Sequence, residues 1–403
     1  MHILSSHNRS EFLATPEIIR FENVRVEEGY EPTLLFKSST LILKYIMLGI
    51  RMKLFFCKLG DRLLYGIKFF DDEEKPAAIW SIVERDIEKQ AISALSSHNK
   101  FPIFLFNEIA INVAWVYLEW DCNSNINQLL DEIIIEPVDY SKYQNNVKCI
   151  FEQWETEDKL PLASIEMDII PISNWNSISN HYIANSISSI PINLDSTDEG
   201  LQQENIAIWL TDNLNPIGAF HSPKIVNSKN YRELTDILLS YENGSILIES
   251  KAISIFNRDT LPNQSKLSKN VTNHIKKAIN QLKGAIRQLK SGVIINSLKG
   301  EEINIERNQP LHSIVLIPEL DLIQDRKMFG KTLIQDFINS TGGFIHILDL
   351  TELLRIVQAA EMISERYPKV TKMMAFDYYL IERAKKASEV GYLGIEMLIR
   401  FEE

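Results

Sequence analysis

The chain has 403 residues, 45% hydrophobic and 24% charged, with a formal net charge of −12. This is the composition of a water-soluble globular protein long enough for two domains. Three widely spaced cysteines (Cys57, Cys122, Cys149), with no CxxC pair and no HExxH, exclude a disulfide scaffold and a zinc framework and fit a reducing cytoplasm. The overall acidity argues against a general nucleic-acid binder.

In chain order, the first markedly apolar stretch is "LILKYIMLGI". It is interrupted by Lys44 and closed by Arg51, and is too short to span a membrane. "MKLFFCKLGDRLLYGIKFF" reads as a β-hairpin with Gly60-Asp61 at its turn. "PAAIWSIVERDIEKQAISALSSH" reads as an amphipathic helix. "FPIFLFNEIAINVAWVYLEW" reads as a second hairpin or a long bent strand. The aromatics here are expected in the core, and no chemical constellation stands out. Residues 171–200 are rich in serine, asparagine and isoleucine and read as a linker. Residues 1–200 are therefore expected to form an α+β N-terminal domain ending in that linker.

Residues 201–403 read as a helix (201–212), a strand pair (234–256) and a long helix (266–290). The strands "HSIVLIPEL" and "GFIHILDL" and two helices (350–366, 374–387) follow. This is an α/β order, α+β for the chain as a whole, with a central mixed sheet flanked by helices. His312 and His346 are expected at core or edge positions of their strands.

The strand pair "RELTDILLSYENGSILIESKAISIF" carries charges that an apolar strand does not hold cheaply. Asn243-Gly244 suits a two-residue type I′ turn, since both positions need positive φ. With that loop, Glu242 pairs with Ser245, Leu238 with Glu249, and Asp236 with Lys251. Side chains two apart share a face, so Asp236, Glu249 and Lys251 project together, opposite Ile237, Leu239, Ile248 and Ser250. Two carboxylates on one face can hold Mg²⁺ through hard oxygen ligands. Such an ion acidifies a bound water and polarises a phosphoryl oxygen. Lysine beside two acids stays protonated unless desolvation wins, so an orienting or electrostatic role fits Lys251 better than general base. The competing reading is a cross-strand ion pair on a solvated face.

Asp236, a spacer, then Glu249-Ser250-Lys251 on the next strand and a helix after it, resembles the PD-(D/E)XK nuclease superfamily over about residues 201–360. The resemblance implies a restriction-endonuclease-like fold, Mg²⁺ or Mn²⁺ dependence, and phosphodiester hydrolysis leaving a 5′-phosphate, on DNA in preference to RNA. It assigns Asp236, Glu249 and Lys251 to catalysis, with Asp236, Glu249 and the Ser250 carbonyl as metal ligands. Thr235 stands where the motif's proline would be. Glu204 and Glu233 are the candidates for the family's first-helix acid. Glu233 can contribute only if the strand begins at Leu234. Other Glu-x-Lys-like triplets (Glu73-Glu74-Lys75, Glu157-Asp158-Lys159, Asp325-Arg326-Lys327) lack an apolar strand around them.

No acid occurs between Thr260 and Gly300, where eight basic residues give +8 and leave −20 on the rest of the chain. Val271, Ile275, Ile279, Leu282, Ile286 and Leu289 form an apolar helical stripe. Lys269, Lys276, Lys283, Arg287 and Lys290 flank it on one side, and Gln281, Gln288 and Lys277 on the other. A basic ridge on an acidic protein is expected to bind phosphates without reading sequence. A solvated helix face is the plainer alternative. The resemblance implies that this helix packs beside the site and carries a polar residue toward it, for which Gln281 is the candidate and Lys277 the second, a surface position being the plainer reading of each.

The expectation is a cytoplasmic, metal-dependent nuclease, suited to prokaryotic defence, whose N-terminal domain selects substrate, binds a protein partner or self-associates, with no membrane role. The alternatives are a non-catalytic nucleic-acid-binding or assembly subunit that keeps the fold, and an enzyme acting on another phosphate ester.

Overall fold

The computed structural model describes residues 2–27, 29–72, 76–120, 126–157, 163–183, 189–227, 230–258, 260–307 and 309–398. The fold mixes α and β and divides into two compact units, residues 1–178 and 179–403. Among the described residues no helix is long and apolar enough to cross a membrane.

The first unit runs α1 (Ser6–Ala14), β1 (Ile18–Val26), β2 (Gly29–Lys37), α2 (Thr40–Met47), β3 (Met52–Leu59), β4 (Arg62–Phe69), β5 (Ala77–Ile82), α3 (Asp86–Leu95), β6 (Lys100–Phe106), β7 (Asn112–Trp120), α4 (Ile126–Leu130), α5 (Tyr140–Glu157), β8 (Ser164–Pro171) and β9 (Asn176–Ser177). Its sheet has the order β1-β2-β6-β7-β8-β3-β4-β5, with β9 on β7. Both expected hairpins form. Leu59 pairs with Arg62 across Gly60-Asp61, and Gly60 takes the positive φ that the turn needs. The β6–β7 pair carries a register shift between Leu105 and Phe106.

The stretch expected as one helix over 76–98 is a strand followed by a shorter helix. Ile79, Ile82 and Trp80 lie in β5, paired with β4, because β-branched and aromatic side chains pack well on a pleated surface. The helix starts only after Arg85, where Glu88 Oε2 accepts from the Glu84 and Arg85 backbone N–H groups at 2.9 and 3.1 Å. Buried Arg20 of β1 donates to Ser81 Oγ of β5. The sheet curls, so β1 and β5, the two ends of the strand order, come close enough for this bond.

The second unit runs β10 (Asn180–Tyr182), β11 (Ile190–Ile192), α6 (Glu199–Asp212), β12 (Gly218–His221), β13 (Lys224–Asn227), β14 (Asn230–Glu233), β15 (Ile237–Tyr241), β16 (Gly244–Ser250), α7 (Gln264–Lys290), β17 (Ile295–Asn296), β18 (His312–Leu316), α8 (Lys331–Thr341), β19 (Phe344–Leu348), α9 (Leu350–Arg366) and α10 (Lys372–Val390). The division of the chain falls after Ile178, so residues 179–200 go with this unit. Ile190, Ile192 and Leu194 are buried there. Gln202 Oε1 accepts from Asn193 N at 2.7 Å, which fastens the stretch to α6.

The central sheet has the order β12-β15-β16-β18-β19. β12, β15 and β16 are antiparallel, while β16, β18 and β19 are parallel and joined through α7 and α8. Every residue of β15 and β16 is buried, as strands covered on both faces require. His312 and His346 lie in this core and bond each other at 3.0 Å. β14, β13 and β17 form a separate small sheet.

Candidate active site

The hairpin loop is Glu242-Asn243, with Tyr241 opposite Gly244, Leu238 opposite Leu247 and Ile237 opposite Ile248. The expected Asn243-Gly244 loop does not form, and neither residue has a positive φ. Gly244 instead opens β16 beneath the Tyr241 ring, whose hydroxyl would stand 2.8 Å from a Cβ at that position. The register differs from the expected one by two residues. Strand side chains alternate with period two, so an even slip leaves every side chain on its face. Carried on by one pair, the observed register sets Asp236 opposite Glu249, where the expected register set it opposite Lys251.

Asp236 lies just ahead of β15 and is fixed by backbone and hydroxyl contacts. Ser222 N donates to the Asp236 carbonyl at 2.7 Å, and the Thr235 hydroxyl donates to the Ile248 carbonyl at 2.8 Å. Thr235 thus pins the entry to β15 at the position where the resembled motif has proline. Lys251 Nζ lies 3.3 Å from Asp236 Oδ2 and 2.8 Å from Glu249 Oε2. Asp236 Oδ2 also accepts from Ser250 N at 2.6 Å. The three charged side chains therefore converge.

Ser250 turns its side chain to the opposite face, where Gln203 of α6 donates to its Oγ at 3.0 Å and to the Leu316 carbonyl at 3.2 Å. Only its backbone is available on the acid side. Downstream, buried Glu199 accepts from Ile255 N and from Phe256 N (2.9 Å), holding the segment that leaves the site.

Burial dominates the electrostatics. The Glu249 side chain is 2% exposed. Desolvation, reinforced by the Asp236 charge, raises its pKa to about 7 against the opposing pull of Lys251. Burial alone would lower Lys251, but Asp236 and Glu249 outweigh it and its pKa is raised, so the lysine stays an ammonium ion. Two carboxylates this close favour a bound cation.

Asp236 and Glu249 open onto a cleft of about 540 Å³. Asn280, Gln281, Gly284, Arg287 and Gln288 of α7 form one wall, and Ile225 and Arg232 of the small sheet line it too. Gln281 Oε1 is buried with no hydrogen-bond partner among the described residues. An orphaned acceptor beside two acids calls for a donor from outside the protein.

No protein-family model matches the chain, and no curated protein matches it. Among solved structures, the small subunit of a heterodimeric restriction endonuclease is similar over 50% of this chain and 84% of its own length, at 15% identity and a TM-score of 0.23. Likeness at that level does not speak to function.

The remaining residues singled out from the sequence separate around α7. Lys269, Lys276, Lys277, Arg287 and Lys290 are exposed along it. Lys290 Nζ donates to the Thr341 carbonyl at the end of α8 (2.6 Å), and Lys283 Nζ lies 5.8 Å from the Phe337 ring centre. These two face α8, whereas Arg287 lines the cleft. The apolar stripe is buried, as helical spacing dictates. Glu233 lines the cleft because β14 ends there and the chain bends before β15. Glu204 of α6 instead bonds His221 Nε2 at 2.7 Å. Asp325 caps its own turn, accepting from Lys327 N and Met328 N. The triplet at 73–75 lies outside the described residues.

Three contributors were not singled out from the sequence. Arg232 reaches the cleft from β14. His274 of α7 has its pKa lowered by desolvation and by Lys251, Lys277 and Arg258, so it stands among their charges. His221 has its pKa raised by Glu204 first, with Glu233 and Asp236 adding to the effect. No local pattern marks these three, since each reaches the site through non-local packing.

The donor set suits a hard divalent cation: two carboxylates, a neighbouring backbone, and a cleft with room for water. Among the described residues no three His, Cys, Asp or Glu side chains gather to hold a metal unaided. Asp236 and Glu249 are side-chain oxygen donors at the cleft.

Proposed function

We propose that the second unit is a divalent-metal-dependent nuclease of the restriction-endonuclease-like kind, cutting phosphodiester bonds of DNA in preference to RNA. The observation that carries this reading is the convergence of Lys251 on Asp236 and Glu249, the two acids that line an open polar cleft. Asp236 and Glu249, with the Ser250 carbonyl, would hold Mg²⁺ or Mn²⁺. Such an ion would supply acidification of water and Lewis acidity toward a phosphoryl oxygen. The Ser250 N–H holds the Asp236 carboxylate in orientation. Lys251, kept protonated by the two acids, donates to the attacking water and offsets negative charge that develops on the phosphate. Gln281 Oε1 accepts a hydrogen bond from water or substrate in the cleft. Arg287 and Lys277 draw the nucleic-acid backbone toward the acids, and exposed Lys269 and Lys276 extend the attraction along α7.

The test is incubation of the purified full chain with single- and double-stranded DNA and RNA, with Mg²⁺, Mn²⁺ or EDTA, beside Asp236→Ala and Lys251→Ala. Metal-dependent cleavage that both substitutions abolish is the expected result. Equal cleavage by the variants, or intact substrates throughout, would sink the nuclease reading. Binding without cleavage would favour a nucleic-acid-binding subunit that keeps this fold.

A further inference from the structure

Helix α7 contains one glycine, Gly284, in its interior. Glycine destabilises a helix interior relative to alanine, because it gives up more backbone freedom on folding. A glycine is commonly needed where another element packs too close for a side chain. Gly66 is such a case, since a Cβ there would stand 2.4 Å from the Ile79 carbonyl oxygen. Gly284 is not. Apart from its chain neighbours and the backbone of its own helix, no described residue lies within 4 Å of where its Cβ would be. Its φ is negative, as any residue could adopt, and the helix continues for six residues beyond it. Neither packing nor backbone conformation requires glycine here.

Its position supplies another reason. Gly284 lines the cleft that holds Asp236 and Glu249. One turn before it stand Asn280 and Gln281, and one turn after it Arg287 and Gln288, all lining the same cleft. Gly284 is therefore a notch in a polar ridge. Arg232 is exposed on β14 and also lines the cleft, from a different element. It is free of the α8 contacts that occupy Lys283 and Lys290.

We infer that the notch at Gly284 admits the sugar–phosphate backbone of a nucleic-acid strand against α7, with Arg232 and Arg287 each holding a phosphate beside it. The inference rests on the nuclease reading of the cleft, but it concerns binding and is tested without cleavage. A guanidinium offers a planar fork of donors matched to phosphate oxygens, and a strand lying in the notch reaches the acids without a side chain between.

The experiment measures binding of fluorescent single- and double-stranded DNA and RNA in EDTA by anisotropy, alongside thermal melting of each protein. Gly284→Ala should raise Tm by about 2–4 °C, since it removes the glycine cost, while weakening binding about threefold. Gly284→Leu should melt no lower than wild type and bind at least about tenfold more weakly. Arg232→Ala and Arg287→Ala should each lower the slope of log affinity against log salt by about one.

A rise in Tm with a loss of affinity is a pairing that a packing role would not produce. Unchanged affinity in Gly284→Leu would overturn the inference, as would a fall in Tm for both glycine variants. If metal-dependent cleavage is lost in Asp236→Ala while the glycine variants bind as wild type, the nuclease reading stands and this inference alone fails. If wild type binds none of the probes in EDTA, this inference fails, and the nuclease reading is decided by the cleavage test alone.

Discussion

Glu249 and Glu352 are two carboxylates of the same unit, both with pKa raised to about 7 and both chiefly by burial. Their surroundings differ. Glu352 shares its burial with Arg383, at 3.7 Å. That guanidinium is 0% exposed, and its Nη2 donates to the carbonyls of Ile347, Leu393 and Ile395. Glu352 also accepts from Met397 N at 3.3 Å, so the pair fastens the C-terminal segment to the sheet. Glu249 shares its burial with Lys251, at 2.8 Å, and with a second acid, Asp236, and the two acids open onto a cleft. A raised pKa therefore marks burial. Glu352 also has a neighbouring acid, Asp349, so the open wall is what marks a candidate site.

Breaking each cluster should separate the two roles. The largest effect is on cleavage. Asp236→Ala, Lys251→Ala and chelation by EDTA should each reduce it by about 10³-fold or more, while Glu352→Gln should leave it within about twofold. A comparable loss in Glu352→Gln would remove the distinction. Next is stability. Arg383→Ala strands a buried carboxyl and should cost about 3–5 kcal/mol in urea unfolding. Tolerance of that change would show that Glu352 does not depend on its partner.

The pH dependence comes third. Glu352 has a folded pKa above its unfolded one, so the folded state binds the extra proton between about pH 4.5 and 7. Its contribution to stability is full below 4.5 and is lost as pH rises through about 7. Glu352→Gln should therefore gain on wild type across that window, by up to about 3 kcal/mol, as urea midpoints in metal-free buffer would reveal. Glu249 follows the same sign without metal. On the proposed metal site, divalent binding would use its carboxylate, so Mg²⁺ or Mn²⁺ affinity should weaken as pH falls below about 7. Calorimetric titrations with pH-independent affinity would contradict that assignment. The smallest effect is at the entry to β15. Thr235→Val removes the hydroxyl bond to the Ile248 carbonyl and should cost about 1 kcal/mol, with any larger loss of activity reporting displacement of Asp236.

Much of the second unit could be read locally. The long apolar stripe of α7, the paired strands β15 and β16, and the strand segments of β18 and β19 follow from periodicity alone. The small sheet of β13, β14 and β17 did not, because its strands are two to four residues long and β17 joins through pairing with a distant segment. The strand β5 was hidden inside an apparently helical pattern, since short apolar runs satisfy both periods until a partner strand is present. The hairpin loop was misplaced by Asn243-Gly244, a strong turn signal overridden by the Tyr241 ring over Gly244.

Side-chain alternation is a property of the covalent chain, so the common face of Asp236, Glu249 and Lys251 was determined by sequence and survived a two-residue error in register. Helical spacing likewise determined that Gln281 and Gln288 share a side of α7. Which side of α7 looks into a cleft was decided only by tertiary packing. The sheet takes the apolar stripe, α8 takes Lys283 and Lys290, and what remains beside the acids is the polar ridge with its notch at Gly284. Burial, and with it the shift of Glu249, arises from those same distant contacts, because desolvation depends on every element that covers a group.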